Sequence, residues 1–400
     1  MFVRFSKLIT IMYAVFHFLL NSTIAPLYAF EWSETLQFHG FASQGYILTS
    51  DNRFFGDSED GSLDFTEIGL NASVRPIPDL QLSAQILSRR AGEGDDGNLR
   101  LDYGFLDYSP ISNESGKLGI RLGRIKNPLG FYNDTRDVAF TRPSIFLPQS
   151  IYFDRTRTLA LSSDGLNAYA EYRKGFGTLF YELEVGYPKV DSEETELAFL
   201  GQEIQQQGGL DNRISYISRI TIEPAGGRTR FSLSGALVNI RFFPTSPTTQ
   251  TGTIRFRPII FSAQYNTEFW SLTSEYALRY SKFRDVGPLS FDITGESYYL
   301  QGSYRISSHL EAMLRYDVLY QDRDDRSGEK FAAATGNPKH SRFAKDWTIG
   351  LRWDITRAWM SRIEYHYVDG TGWLPLLDNP SSNQIDRYWD MFAILVSYRF

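Results

Sequence analysis

Apolar and polar residues alternate with a period of two along almost the whole chain from residue 34 onward. In 68–75, Ile68, Leu70, Ala72 and Val74 alternate with Gly69, Asn71, Ser73 and Arg75. The same pattern sets Leu99, Leu101, Tyr103 and Phe105 on one face of 99–105, and it recurs in 310–321 and 347–354. Such alternation predicts β-strands with one apolar face and one polar face.

The alternating segments are long enough to cross a bilayer. A tilted membrane strand needs about 9–11 residues, apolar outward and polar inward. We therefore predict an all-β fold, a transmembrane antiparallel β-barrel of about sixteen strands. The predicted strands are 35–48, 63–75, 79–89, 98–108, 117–126, 165–174, 178–187, 212–223, 229–242, 253–265, 270–282, 295–306, 309–320, 346–355, 359–367 and 388–400.

Aromatic residues and connection lengths agree with this orientation. Tyr and Phe number 24 and 30, and several aromatic residues fall at strand ends, where membrane barrels carry interfacial girdles. Short turns alternate with longer loops, as periplasmic turns alternate with external loops in outer-membrane barrels. The predicted long loops are 50–61, 89–98, 127–165, 188–211, 244–252, 283–294, 322–345 and 368–386. Of these, 188–211 and 322–345 are acidic or mixed in charge, which is typical of free external loops.

The first 29 residues have the layout of a secretory signal peptide. Arg4 and Lys7 precede an apolar stretch, and a small residue stands at Ala29. We therefore expect a signal peptide at 1–29 and the barrel at 30–400. Without Arg4 and Lys7, 39 basic residues face 47 acidic ones, a net charge of −8 that argues against a nucleic-acid partner. The chain contains 0 Cys, which excludes disulfides and thiolate chemistry.

The third long loop differs from the others in composition. It contains many apolar residues, among them Phe131, Tyr132, Phe146 and Phe153, which is too much apolar surface to leave in water. It is also far longer than an ordinary connection. We expect the segment 126–165 to fold inward against the barrel wall and to narrow the channel.

Several stretches resemble Gram-negative outer-membrane porins, closest to the phosphate-selective porin group and its uncharacterised relatives. They are HGFASQGYI at 39–47, SLDFTEIGLNASV at 62–74, GRIKNPLGFYNDTRD at 123–137, RPSIFLPQSIYF at 142–153 and the terminal YRF. The resemblance implies a sixteen-stranded homotrimeric barrel whose third loop lines the eyelet, located in the cell outer membrane. It also implies that the terminal aromatic residue is read by the assembly machinery.

Charged residues on the predicted inner face and in the third loop are the candidate site. At the constriction we expect Lys126, Arg136 and Arg142 to face Asp134 and Asp137 and to set a transverse field. The predicted lining of the pore is Arg100, Asp102, Arg121, Arg173, Arg279, Arg305, Arg315, Arg352 and Arg362, and the inward set also includes Arg255 and Arg257. A slight basic excess predicts a weak anion preference.

The sequence thus predicts a porin that passes small hydrophilic solutes or ions by passive diffusion and contacts membrane lipid and lipopolysaccharide. It predicts no enzyme, because His39, His309, His340 and His366 fall in different hairpins, and it predicts no cofactor. It also predicts no metal site, because the acidic clusters at 51–60 and 93–96 lack the regular spacing of calcium ligands. Two alternatives stay open. One is a filled, non-conducting barrel that acts as a receptor or adhesin, and the other is an outer-membrane hydrolase.

Overall fold

The computed structural model describes residues 36–247, 250–381 and 384–400. Within these residues it contains seventeen antiparallel strand segments in one sheet. They are β1 Leu36–Thr49, β2 Ser62–Ile77, β3 Leu80–Ala91, β4 Asp96–Asn113, β5 Gly116–Lys126, β6 Ser162–Lys174, β7 Gly177–Pro188, β8 Gly208–Asn212, β9 Ser215–Pro224, β10 Thr229–Pro244, β11 Gly252–Asn266, β12 Trp270–Val286, β13 Leu289–Arg305, β14 Leu310–Tyr320, β15 Phe343–Asp354, β16 Trp359–Gly370 and β17 Tyr388–Arg399. The predicted signal peptide lies outside the described residues.

The sheet closes into a barrel because β1 pairs with both β2 and β17. Ser43 lies opposite Glu67 on one side and opposite Ser397 on the other. β8 and β9 both pair with β10, so they are two parts of one barrel strand, and the seventeen segments form sixteen strands. The prediction of a sixteen-stranded antiparallel barrel is confirmed. Closure leaves no sheet edge whose backbone groups would be unpaired in hydrocarbon.

The exterior of the barrel is apolar. Large side chains such as Leu63, Leu99, Leu122 and Ile349 are more than half exposed on this face. On β17, Met391, Ala393 and Leu395 are buried, which places Phe392, Ile394 and Val396 on the outer face. An apolar belt of this extent on a closed barrel is the surface of a protein that stands in a lipid bilayer.

Helices are confined to the connections. They are α1 Arg157–Leu161, α2 Glu193–Gln205 and α3 Glu329–Thr335, with 3-10 turns at Asn133–Thr135, Ala139–Thr141, Arg323–Asp325 and Lys339–Arg342. Among the described residues, none of the helices is long and apolar enough to cross a membrane. The expectation of a free loop at 188–211 is wrong, because Leu200 and Ile204 of α2 pack into an apolar cluster with strands β8 to β12.

The predicted register fails at two places. In β4 a bulge lets Leu101 pair with Ile86 while Tyr103 pairs with Gln85, so Tyr103 leaves the face of Leu101. In β11, Arg255 and Arg257 share the exposed outer face of Ile259.

The reason in β11 is packing. The inner face of this strand is apolar, and its Phe256 contacts Phe199 of α2 with 5.9 Å between ring centroids. The predicted loop at 283–294 is also wrong, because β12 and β13 continue to Val286 and Leu289 and join through a tight turn.

Candidate functional site

The segment between β5 and β6, residues 127–161, is closed at its base by two asparagines. The Asn127 side chain donates to the carbonyl oxygens of Leu159 and Ala160, at 3.3 and 3.0 Å. The Asn133 side chain donates to the carbonyls of Asn127 and Ala160, at 2.9 and 2.7 Å. Both asparagines are buried. These amides replace the ladder that the strands lose where the chain leaves the sheet.

One side of the segment is bonded to β9 and β10. The Gly130 amide donates to Ser234 Oγ at 2.9 Å, and its carbonyl accepts from Arg219 at 3.1 Å. Arg219 also binds the carboxylate of Asp134 through two nitrogens, at 2.9 and 2.7 Å. Gly130 has a φ of +61°, and a side chain here would strike the Tyr152 hydroxyl, so this position favours glycine.

Glu275 of β12 is the centre of a second attachment. Its carboxylate accepts hydrogen bonds from the Tyr152 hydroxyl at 2.6 Å and from the Phe131 amide at 3.0 Å. Two wall residues, Ser262 and Tyr299, donate to the same carboxylate at 2.6 and 3.0 Å. The Tyr152 hydroxyl in turn accepts from the amides of Phe131 and Tyr132. The segment therefore depends on one buried carboxylate and one buried hydroxyl at this point.

The distal part of the segment is bonded to β14 and β16. Arg315 donates to Ser144 Oγ at 2.9 Å and to the Phe146 carbonyl at 3.1 Å. The Ile145 amide donates to Glu364 at 2.5 Å, and Arg362 donates to the Arg142 carbonyl at 2.5 Å. Ser150 adds a bond to Asp317 of β14 at 3.2 Å. Contacts on β9, β10, β12, β14 and β16 thus spread over much of the barrel circumference.

A buried ionic network joins the segment to β2, β3 and β4. Arg142 binds Glu67 through two nitrogens, at 3.0 and 2.7 Å. Lys126 contacts both Asp102 and Asp137, and Asp137 also contacts Arg157. Arg89 reaches Asp154 at 2.9 Å, Asp95 at 3.2 Å and Glu67 at 3.6 Å. Burial lowers the pKa of Arg136, which lies in this network, to about 10.

The five predicted constriction residues contact this network or the barrel wall, but the side chains of four of them are almost fully buried. Arg136, Asp137 and Arg142 are at most 5% exposed, and the Lys126 side chain is 9% exposed. Only the Asp134 side chain, at 36%, is substantially exposed among the five. The transverse field set by all five residues stays a prediction.

The nine predicted lining residues differ in how far their side chains are buried. Asp102, Arg315 and Arg362 are buried, and Arg279 and Arg352 are partly covered through contacts with the Ser150 and Phe140 carbonyls. Arg100 pairs with Asp95, and Arg173 pairs with Glu171. Arg121 and Arg305 complete the nine, and Arg305 is exposed.

Asp134 of the segment and three charged residues of the wall form a group that the sequence did not single out as a unit. Arg219 joins Asp134 to Glu182, at 2.7 and 2.6 Å, and Glu182 lies 3.6 Å from Arg121. The Arg121 and Glu182 side chains are 27% and 18% exposed. We name Arg121, Asp134, Glu182 and Arg219 the throat group. Because Glu182 and Arg219 are distant in sequence from Asp134, only the folded chain brings the group together.

The side chain of His366 contacts acidic and hydroxyl groups but is closed to solvent. Its Nδ1 lies 2.8 Å from Asp346 and 3.1 Å from Thr348 Oγ1, and its Nε2 lies 3.4 Å from Glu364. All four residues are at most 2% exposed, so a substrate cannot reach this histidine. Among the described residues no group of three or more potential ligands could hold a metal ion.

Neither a protein-family model nor a curated protein matches the sequence. Solved structures do match. The outer membrane channel DcaP of Acinetobacter baumannii is 13% identical with a TM-score of 0.56, and the match covers 91% of this chain and 97% of that one. OmpT of Vibrio cholerae gives 11% and 0.55, covering 92% and 99%. An anion-selective porin from Comamonas acidovorans gives 13% and 0.54, covering 91% and 98%. At these identities the likeness shows the fold, which is that of outer-membrane porin barrels.

Proposed function

We propose that the protein is a porin of a Gram-negative outer membrane, a water-filled channel for passive diffusion of small hydrophilic solutes and ions. The observation that carries the proposal is that the wall partners of the 127–161 segment lie on the strand face opposite the apolar exterior. Glu275, Arg315 and Glu364 are examples. A sixteen-stranded barrel is wide enough to leave an aqueous channel, and a segment bonded inside it acts as a constriction.

The open passage lies on the side of the throat group. Arg315 and Glu364 are at most 2% exposed where the segment covers them, whereas Arg121, Asp134 and Glu182 keep contact with solvent. Solutes therefore pass beside the segment, along strands β5 and β7. Two arginines and two carboxylates line this passage, a balanced set that favours polar solutes over a strict choice of ion sign.

Single-channel recording in planar bilayers tests the proposal. Stepwise openings of the purified protein support diffusion. Asp134→Lys should change their conductance, because it replaces a carboxylate in the throat by a longer side chain of opposite charge. The matched change Asp292→Lys, on the outer face of β13, should leave the openings unaltered. Persistent silence of a correctly folded barrel would refute the channel.

A filled barrel that acts as a receptor or adhesin is the second candidate. It is favoured by the two apolar clusters of the described residues, which contain inner-face residues such as Leu395 and Ile254. The same recordings separate the two candidates, because a filled barrel conducts nothing. We infer no enzymatic activity, since His366 and the residues around it are at most 2% exposed and out of reach of a substrate.

We infer a weak anion preference. Arg173, Arg305 and Arg399 are exposed at the short-turn end of the inner face, where Glu311 is partly buried. Cations near the mouth raise the local anion concentration. The reversal potential across a KCl gradient measures the preference, and a clear cation preference would contradict it.

A basic cluster lies on the outer face and comprises Arg255, Arg257 and Lys282. We infer that it is a contact for lipopolysaccharide. Arg255 and Arg257 of β11 face Lys282 and Tyr280 of β12, and Asp292 is paired with Arg284 at 2.6 Å. These residues lie toward the long-loop end, where phosphorylated lipid headgroups meet the barrel. Binding of purified lipopolysaccharide should weaken in the double variant Arg255→Gln, Arg257→Gln.

The homotrimer and the link to the phosphate-selective porin group stay predictions. Crosslinking in native membranes tests the homotrimer.

A further inference from the structure

Four arginines surround a small buried cavity where the 127–161 segment meets β2 and β3. The cavity has a volume of about 20 Å³, and Arg89, Arg136, Arg142 and Arg157 are among its lining residues. Each of these arginines is at most 6% exposed. A space of this size holds a water-sized particle.

The guanidinium groups that line the cavity are incompletely satisfied. The Nε atoms of all four arginines and Nη1 of Arg136 have no hydrogen-bond partner among the described residues. Their other nitrogens do bond, for example Arg142 to Glu67 and Arg136 to the Tyr152 carbonyl. Buried donors without a partner are rare in proteins, and a cluster of them points to a ligand that accepts hydrogen bonds.

The charges of the surrounding network do not cancel. In the described residues, the cations connected by ion pairs are Arg89, Arg100, Lys126, Arg136, Arg142 and Arg157, and the acids are Glu67, Asp95, Asp102, Asp137 and Asp154. Six cations face five acids when all are ionised. One positive charge is left over, and Arg100 is the one cation of the six whose side chain is substantially exposed, at 37%. Burial of an uncompensated charge is costly.

We propose that the cavity binds a single halide ion, chloride under ordinary conditions, held by the guanidinium groups of Arg89, Arg136, Arg142 and Arg157. A monovalent anion supplies the missing charge, and a spherical ion accepts bonds from several donors at once. A water molecule would fill the space but leave the charge uncompensated. Burial also lowers the pKa of Arg157 well below its ordinary value, which agrees with a shortage of negative charge at this point.

The bound ion would fasten the segment to the wall. It bridges Arg89 of β3 to three arginines of the segment, so it adds a contact that the protein atoms alone do not provide. The site is separate from the path beside the throat group, since none of the four throat residues lines the cavity. The inference therefore goes beyond the proposed channel and holds for a conducting or a filled barrel.

Anomalous scattering from crystals of the full-length protein grown in bromide is the direct test. We expect one bromide peak within hydrogen-bond distance of the four arginines. A water peak without anomalous signal at this position would overturn the proposal.

Thermal unfolding in detergent gives a second, independent readout. Replacement of gluconate by chloride at constant ionic strength should raise the Tm by roughly 3 °C if chloride is well above its Kd. Arg136→Gln should abolish this rise, whereas Arg357→Gln, which removes an exposed charge in the turn between β15 and β16, should retain it. Equal Tm values of the wild-type protein in the two salts would contradict the site, and this comparison does not depend on whether the variant folds.

Discussion

Replacement of Tyr152 by phenylalanine isolates the attachment of the 127–161 segment to the wall. The change removes one oxygen atom from a side chain that is 3% exposed and leaves its packing in place. The lost hydroxyl donates to Glu275 at 2.6 Å and accepts from the Tyr132 amide at 3.0 Å. The Phe131 amide keeps Glu275 as a partner at 3.0 Å.

The magnitude follows from these bonds. A hydrogen bond to a charged group contributes about 1.5–3 kcal/mol, and a buried amide left without its partner costs about 1–3 kcal/mol. We therefore expect local opening of the segment to become easier by about 3 kcal/mol, which is roughly a hundredfold in population. The barrel strands should keep their stability, because their ladder hydrogen bonds do not involve the Tyr152 hydroxyl.

Hydrogen exchange of the micelle-bound protein measures this change. The amide of Tyr132 should exchange roughly a hundredfold faster in the variant, and channel recordings should become noisier. Tyr365→Phe is a matched control, because it removes an outer-face hydroxyl that donates to Asp390 at 2.8 Å. If both variants leave exchange at Tyr132 unchanged, the segment is not held by the Tyr152–Glu275 contact.

Two further predictions concern the external loops. Asp378 accepts from the amides of Phe55, Gly56 and Glu93, at 3.0, 3.3 and 3.0 Å, so Asp378→Ala should speed exchange at these amides by roughly thirtyfold, and unchanged rates would exclude a clamp. Burial lowers the pKa of His340, so the unfolded state binds more protons between that lowered pKa and the ordinary value of about 6.5. Stability should therefore fall as the pH drops through this window, and His340→Gln should remove this part of the pH dependence in denaturant titrations.

The sequence was sufficient for the barrel because one physical pattern governs every strand. A side chain on the outer face meets lipid, so apolar residues must recur at every second position. Where other contacts replace lipid or water, the pattern fails. The segment 283–294 was predicted as a loop, yet it belongs to a hairpin that extends β12 and β13, with Arg284 and Asp292 paired across it. In β11 the inner face is apolar because α2 covers it, which only the fold reveals.

The candidate site was less predictable than the fold. Charged residues of the third loop were expected to face one another across the constriction, but Arg142 pairs with Glu67 on β2 and Arg136 lies near Asp154. Partners so distant in sequence leave no local signal. Glu67 and Glu275 occur in ordinary alternating strands, and nothing in those strands distinguishes a carboxylate that binds the segment from one that faces the lumen.

Differences in the solvent exposure of side chains around the inner wall provide the sharpest test of where solutes pass. The chain contains 0 Cys, so single cysteines can be introduced without background reaction. Arg121→Cys and Asp134→Cys should react with a charged, water-soluble thiol reagent and reduce conductance, because these side chains are 27% and 36% exposed. Thr348→Cys should stay unreactive in the folded barrel, since Thr348 is buried beneath the Arg315 guanidinium. The reverse result would place the passage on the β14–β16 side and would invert the assignment of the throat.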